Sequence, residues 1–395
     1  MLNDVVDVAV VGAGPAGAWT ARTLARLGAR VAIVDGSHPR EKPCGGGVTG
    51  RALALAGDAI ETGALPRCEI RAARFVDSAR GRSASVTLGG GDLVVASRTD
   101  FDGALLAAAA AAGASTIRSR VIDIVEDSGG FTVVTRDGAV RARTIVGADG
   151  ANSLVRRRVA QPFDRADISI ATGYFVHGVT SGGVDPSEIV IELTADPPGY
   201  IWSFPRPTHL AVGICAQADA GIGVDALRAR ALDWIRVMKL DRGTLEPYSW
   251  PIPSLSARSF AALTTSGPGW FLVGDAAGLV DPITREGIYF ALVSGEAAAR
   301  AIASSSDAAA RRQYDERVKS DIVDELVRAA RYKDGFFRSR FTRLLVDALD
   351  ASEGVRRVMG GLVAGTQPYG TLKWSLARTA ELGLAWRLIR SKWYN

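Results

Sequence analysis

Gly12-Ala13-Gly14-Pro15-Ala16-Gly17 is a glycine pattern suited to a pyrophosphate. Gly12 permits a tight turn, Gly14 lets a phosphate approach the backbone, and Gly17 lets a helix pack closely on a strand. The helix that opens there offers free N–H groups and a positive dipole end. Such a pattern also occurs in plain β–α turns. Asp35, 23 positions after Gly12, sets this one apart, because a carboxylate there accepts both hydroxyls of a ribose. An acid at that point disfavours a 2′-phosphate, which favours FAD or NAD over NADP.

Two later turns choose between those cofactors. Ile145-Val-Gly147-Ala148-Asp149-Gly150 places an acid–glycine turn after an apolar run, and Phe271-Leu-Val-Gly274-Asp275-Ala-Ala-Gly278 does so again. Pro282 and Gly287-Ile288 follow shortly. A ribityl chain needs hydroxyl acceptors, a role that suits Asp275. The N–H groups of Gly287 and Ile288, near a helix start, suit the N1–C2 edge of a flavin and stabilise its reduced anion. Each turn alone is ordinary; the three in this order point to FAD.

Tyr200, Trp202 and Phe204 fall at i, i+2 and i+4, so on a strand they share one face. They form either a wall for a long apolar or planar ligand or the packing of a sheet on a helix. The turn Pro197-Pro198-Gly199 favours a strand starting near a pocket mouth. Cys44, in Lys42-Pro43-Cys44-Gly45-Gly46-Gly47, reads as an inert small residue, a redox thiol or a proton donor, with Arg40 and Lys42 its charged neighbours. His38, His177 and His209 show no triad or metal spacing and read as polar surface or loop residues. There is no metal motif, carboxylate cluster or nucleophile elbow, so no metal is expected. Nor is there a second G-x-G-x-x-G. The reductant, NAD(P)H or a reduced carrier protein, is therefore expected to dock transiently.

These residues need a scaffold. Val5–Val11, Ala16–Leu27 and Arg30–Val34 read as β-α-β with both strands buried, as a parallel sheet demands. Short strands are expected near Arg71–Phe75 and Ala84–Leu88, and Thr99 or Asp100 can cap an alanine-rich helix through Ala112. Arg118–Glu126, Phe131–Arg136 and Val140–Val146 read as strands, as does Trp270–Val273. Helices are expected at Val224–Leu240 and Gly287–Ala303, and from Ala308 the pattern is helical and basic. The fold class is an α/β FAD-binding Rossmann-like (glutathione-reductase-type) domain with an inserted antiparallel β-sheet substrate domain and a helical C-terminal region. Residues 1–57, 94–160 and 255–304 would form the first domain, 58–93 and 161–254 the second, and 305–395 the helical region.

Composition agrees with an enzyme. The chain has 395 residues, 47% hydrophobic and 23% charged, which suits two or three globular domains and excludes a disordered chain. A net charge of +5 is too small for a nucleic-acid binder. Three cysteines, Cys44, Cys68 and Cys215, give no disulfide framework and fit a reducing, cytoplasmic compartment. No basic stretch precedes the first apolar run, so no signal peptide is expected, and the longest apolar stretch, Gly103 to Ala114, is too short to cross a bilayer.

The chain from about residue 5 to 300 resembles FAD-dependent oxidoreductases built like p-hydroxybenzoate hydroxylase, and within them the geranylgeranyl reductase family. The narrower likeness rests on Lys42-Pro-Cys44-Gly45-Gly46-Gly47 and Tyr200-Ile-Trp202-Ser-Phe204-Pro205. It implies that Tyr200, Trp202, Phe204 and Pro205 line a lipid pocket and that Cys44, Gly45 and Gly46 approach the flavin. It also implies that Arg98 aims a guanidinium at the FAD phosphates and that the Val121 backbone touches adenine. One departure is Gly213-Ile-Cys215, where the family has G-x-G. The implied activity is saturation of carbon–carbon double bonds in an isoprenoid, geranylgeranyl-type chain by hydride from reduced flavin. A monooxygenase or other tailoring enzyme of the same fold, acting on an aromatic or other apolar substrate, is the alternative, and a non-enzymatic FAD redox protein a lesser one. Residues 371–395 combine Leu372, Leu376, Leu382, Leu384, Trp386, Leu388, Ile389 and Trp393 with Lys373, Arg378, Arg387, Arg390 and Lys392. They read either as a peripheral contact with an anionic membrane or as a helix docked on the protein's own domain.

Overall fold

The computed structural model describes residues 5–178 and 184–379. One sheet carries five parallel strands in the order Ser115–Ile117, Val31–Val34, Val6–Val11, Gly138–Gly147 and Trp270–Leu272. Val31–Val34 is buried throughout and Val6–Val11 almost so, because helices or strands cover both faces. Gly138–Gly147 does two jobs. Its start pairs antiparallel with Gly130–Thr135, while its later residues run parallel to Val6–Val11. Helix Pro15–Arg26 packs between helices Arg98–Ala111 and Ile288–Ser304. A Cβ on Gly17 would stand 1.9 Å from the Gly12 carbonyl oxygen, so helix and strand meet where only glycine fits.

The second sheet has seven strands, in the order Thr244–Pro253, Ile168–His177, His209–Gln217, Pro198–Pro205, Glu188–Ala195, Ala72–Asp77 and Arg82–Thr87. All pairs but one are antiparallel; Glu188–Ala195 runs parallel to Ala72–Asp77, which joins the early hairpin to the later strands. Helix Val224–Val237 covers one face, burying Ile201, Leu210, Val212 and Ile214 beneath Leu227 and Trp234. The opposite face carries Trp202, with Tyr200 and Phe204 beside it. Period-two alternation thus splits one strand between two environments.

Some elements differ from the sequence reading. The strand expected at Arg118–Glu126 is present as Val121–Asp127, paired with Gly130–Thr135, and an unexpected strand before it, Ser115–Ile117, joins the parallel sheet. Neither Thr99 nor Asp100 caps the alanine-rich helix. It starts at Arg98, and Glu41 reaches in from the glycine-rich loop, accepting from the Arg98 N–H (3.1 Å) and the Ser97 hydroxyl (2.6 Å). Gly47–Thr49, Arg67–Glu69 and Leu93–Ala96 form a small third sheet that the sequence did not signal. The helices after residue 305 divide between two cores. Asp307–Val318 packs in the first, where the buried Tyr314 hydroxyl donates to the Leu272 carbonyl (2.5 Å). Ser339–Ala351 and Glu353–Ala364 lie on the end of the second sheet that closes with Arg82–Thr87. No helix among the described residues is long and apolar enough to cross a membrane.

Gly17→Val should force helix Pro15–Arg26 off its strand. Overpacking of this kind costs about 1–3 kcal/mol, so a lower urea midpoint with loss of bound cofactor is expected, and an unchanged midpoint would refute the close approach.

Candidate active site

A cavity of about 1040 Å³ runs from Gly12, Gly14, Pro15 and Ala16 past Asp35, Cys44, Gly45, Gly46 and Asp275 to Tyr200, Trp202 and Phe204. Its far wall is apolar and includes Ile189, Ile191, Phe336, Phe337, Met359 and Leu362. That volume lies at the upper end for single small-molecule pockets, leaving room for a cofactor and a substrate.

The cradle end fits a dinucleotide. Gly12 has φ 101°, and a Cβ there would lie 2.4 Å from the Ala148 carbonyl oxygen. Helix Pro15–Arg26 begins with proline at its first position and no side-chain cap, so its N-terminal N–H groups remain for a ligand. Helix Ile288–Ser304 likewise opens uncapped by any side chain, with Gly287 and Ile288 on the same cavity.

Asp35 is densely bonded. One oxygen accepts from the Ala13 N–H (2.9 Å) and pairs with His38 Nδ1 (2.8 Å); the other accepts from the Ser37 N–H and hydroxyl and the His38 N–H. Burial opposes ionisation, but His38 and these N–H groups outweigh it and hold the carboxyl well below the usual range. A ribose hydroxyl would compete with Ser37 for the second oxygen. His38 is a half-buried loop residue, and its Nε2 also stands 3.7 Å from Asp102.

Two further acids have protein partners. Asp275 pairs with Lys42 Nζ at 2.9 Å, which pins the glycine-rich loop to the end of the fifth parallel strand. Asp149 serves its own turn. It accepts from the Ser153 hydroxyl (2.5 Å) and the Leu154 (2.6 Å) and Val155 (3.2 Å) N–H groups, and burial pushes its carboxyl up. Gly150, at φ 80°, makes the turn possible.

Cys44 has stronger neighbours than its sequence context shows. Arg98 Nη1 stands 3.6 Å and Arg206 Nη2 3.7 Å from its Sγ. Arg98 is spent largely on Asp102, which it grips through Nε (2.8 Å) and Nη2 (2.7 Å), so two of its three nitrogens are not free for cofactor phosphates. Arg206 is the residue that sequence reasoning missed. Its side chain is fully enclosed, pairs with Glu41, and donates to the Cys44 carbonyl at 2.6 Å. Its position next to Pro205, in the turn that ends the aromatic strand, was the one available signal. The Phe204 ring lies where a Cβ on Gly45 would be, 2.7 Å away, so the aromatic strand and the glycine loop interlock. Three residues expected on the site do not line it. Gly17 packs helix on strand, Pro205 is buried away from the cavity, and Pro282 gives its carbonyl to Arg285. Val121 does line it.

The sequence matches the family described as FAD binding domain over residues 5–316. It is 32% identical over 306 residues to geranylgeranyl diphosphate reductase of Rhodobacter capsulatus, covering 75% of this chain and 74% of the relative. It is 31% identical over 319 residues to menaquinone reductase of Mycolicibacterium smegmatis (77% and 78%). Digeranylgeranylglycerophospholipid reductase of Methanothrix thermoacetophila shares 30% over 361 residues (84% and 88%). The chain is an FAD-dependent oxidoreductase of the geranylgeranyl reductase family. A geranylgeranyl bacteriochlorophyll reductase-like structure from Thermoplasma acidophilum superposes with TM-score 0.78 at 25% identity, covering 95% of this chain and 99% of the other. The brominase Bmp2, at TM-score 0.70 and 21% identity over 95% and 99%, shares the fold.

In this flavoprotein His209 stands beside Arg206. His209 is buried, and its Nε2 has no hydrogen-bond partner. Burial, then the charge of Arg206, lowers its pKa from 6.5 to about 4. The unfolded chain binds more protons between those values, so the stabilisation is complete above pH 6.5 and drains as pH falls towards 4. In His209→Asn the loss across that window should shrink by about 2 kcal/mol, read from urea midpoints at pH 7 and pH 4.5; identical losses in both proteins would assign the acid lability elsewhere.

Proposed function

We propose that this enzyme saturates carbon–carbon double bonds in the isoprenoid chain of a lipid-like substrate. The observation that carries this reading is the single cavity joining the FAD cradle to an apolar chamber walled by Tyr200, Trp202 and Phe204 and by helices from the C-terminal region. The compounds named for its relatives (a prenyl diphosphate, a menaquinone and a glycerophospholipid) differ at the head and share a polyprenyl chain.

FAD in its reduced state supplies a hydride to one alkene carbon. The chain's residues do the rest. Gly14 and the N-terminal turn at Pro15 and Ala16 would hold the pyrophosphate, Asp35 would order the ribose, and Asp275 would offer an acceptor to the ribityl hydroxyls. The Gly287 and Ile288 N–H groups, at an uncapped helix start on the cavity, would favour negative charge on a reduced flavin. Tyr200, Trp202 and Phe204 orient the chain, while Ile191, Phe336 and Met359 exclude water. An isolated alkene is unactivated, so alignment and dryness carry much of the rate. Cys44 Sγ holds the proton for the neighbouring carbon, with Arg98 and Arg206 fixing its loop, and Gly45 and Gly46 leave space for the approach. Electrons arrive from NAD(P)H or a reduced carrier protein that docks transiently.

Anaerobic incubation with dithionite and geranylgeranyl diphosphate should give products heavier by two hydrogens per bond. Trp202→Ala should raise KM for the long chain by about 30- to 150-fold, as the loss of 2–3 kcal/mol of aromatic contact requires, with FAD retained. Products heavier by one oxygen, formed only in air, would overturn the reading in favour of a monooxygenase.

A peripheral membrane contact through residues 371–395 is supported by Trp374, which is 70% exposed beside the exposed Lys373 and Arg378. The remainder of that segment, including Leu382, Leu384, Trp386, Leu388, Ile389 and Trp393, lies outside the described residues. Binding to anionic liposomes should fall with salt and drop several-fold in Trp374→Ser; equal binding by both proteins would leave the surface without this role.

A further inference from the structure

The loop from Asp281 to Gly287 supplies Ile283, Thr284, Arg285, Glu286 and Gly287 to the cavity wall. It is tightly folded. The Asp281 N–H donates to the Glu286 carbonyl (2.9 Å), and the Arg285 N–H to the Asp281 carbonyl (3.0 Å). Arg285 takes φ 62° in this bend, a left-handed conformation that an L-residue keeps only where its surroundings enforce it. The Asp281 carboxyl group does much of the enforcing. One of its oxygens accepts from the Ile283 (2.7 Å) and Thr284 (3.0 Å) N–H groups, which sets the backbone just before Arg285.

The other oxygen is held from outside the loop. It accepts from the Tyr369 hydroxyl (2.9 Å), 88 residues further on and beyond the segment that matches the FAD-binding family. Both residues are buried. Burial pushes the Asp281 carboxyl up, and the two N–H groups and the Tyr369 hydroxyl oppose it. Tyr369 is itself fixed: its N–H donates to Glu325, and its ring stacks on Tyr332 with centroids 6.4 Å apart. A second tyrosine reaches the loop from the aromatic strand, where the Tyr200 hydroxyl donates to the Thr284 carbonyl (3.0 Å). Glu286 is tied down as well, by the Thr49 hydroxyl (2.6 Å) and by Arg51. The third sheet, the second sheet and the C-terminal helices thus all take hold of one short loop.

What the loop carries gives these ties their meaning. Helix Ile288–Ser304 starts directly after Gly287 with no side-chain cap, and a Cβ on Gly287 would stand 3.2 Å from Asp275 Oδ1. The path from Asp281 to Gly287 therefore decides where the free N–H groups of that helix start lie in the cavity. We infer that Tyr369, acting through Asp281, and Tyr200, acting through Thr284, are positioning residues that set this helix start against the flavin and so fix the protein's preference for reduced over oxidised FAD. This rests on the placement of Gly287 and Ile288 at the flavin proposed above, and not on the identity of the substrate. Without a hydroxyl the buried Asp281 carboxyl group or the Thr284 carbonyl lacks a partner, and the loop shifts to satisfy it. N–H groups stabilise negative charge only when they are aimed at it within hydrogen-bond distance. Tyr200 on this reading has two duties: its ring forms the chamber wall, and its hydroxyl holds the loop.

Tyr369→Phe and Tyr200→Phe delete the hydroxyls and keep the rings. The midpoint potential of the bound flavin, titrated anaerobically against a reference dye, reports the ratio of affinities for reduced and oxidised FAD with no substrate present. Each variant should lower that ratio at least tenfold, a fall of about 30 mV for a two-electron couple. Tyr314→Phe also removes a buried tyrosine hydroxyl, one bonded to Leu272 rather than to the loop. It should lower the melting temperature and leave the ratio as in wild type. Should Tyr369→Phe fail to fold, Tyr200→Phe decides alone. An unchanged ratio in the loop variants, or an equal shift in Tyr314→Phe, would overturn the role, whatever the melting temperatures. Lowered ratios with no isoprenoid turned over by wild type would keep the loop's role and remove the isoprenoid reading.

Discussion

Arg206 holds its charge in a place with almost no water, and much of the site is arranged around that fact. Its guanidinium pairs with Glu41 and donates to the Cys44 carbonyl, while Glu41 also caps the helix that begins at Arg98. One ion pair, fully enclosed on its Arg206 side, thus joins the end of an aromatic strand, a glycine-rich loop and a helix start. Desolvation of Arg206 cancels much of what the attraction contributes to stability, whereas removal of Glu41 would leave the enclosed guanidinium without its counter-charge, at about 3–5 kcal/mol. Such a pair fixes geometry more than it adds stability. It holds Cys44 against Arg98 and Phe204 against Gly45.

Glycine makes that convergence physically possible. The loop approaches the Phe204 ring and the Ala96 carbonyl so closely that a Cβ on Gly45 or Gly46 would fall 2.7 or 2.6 Å from them. The same device operates at Gly12 and Gly17 in the cradle. Close backbone approach leaves room for a flat cofactor on one side and an apolar chain on the other, while the larger side chains that exclude water come from other segments: Ile189 and Ile191 from the second sheet, and Phe336, Met359 and Leu362 from the C-terminal helices.

Those helices close the cavity from outside the parallel sheet. The parallel sheet and its cradle are shared with a brominase as well as with isoprenoid-named reductases. In this chain the apolar roof of the cavity comes from Phe336, Met359 and Leu362, on helices that lie outside the parallel sheet.

The sequence by itself determined the cradle. Glycine spacing, the strand-helix-strand alternation around it and Asp35 depend on contacts within some 25 residues, where chain connectivity leaves few arrangements. It likewise placed Tyr200, Trp202 and Phe204 on one face, since strand geometry alone requires it. The roles of the acids were not legible: Asp149 satisfies its own turn, and Asp275 meets Lys42 from 233 residues away. Nor were Arg206 and Tyr369, whose surroundings come from segments far apart in the chain. A polar side chain looks the same in sequence whether it is solvated or paired. Only the packing of distant elements sets how much water reaches it, and that decided which of these residues could act.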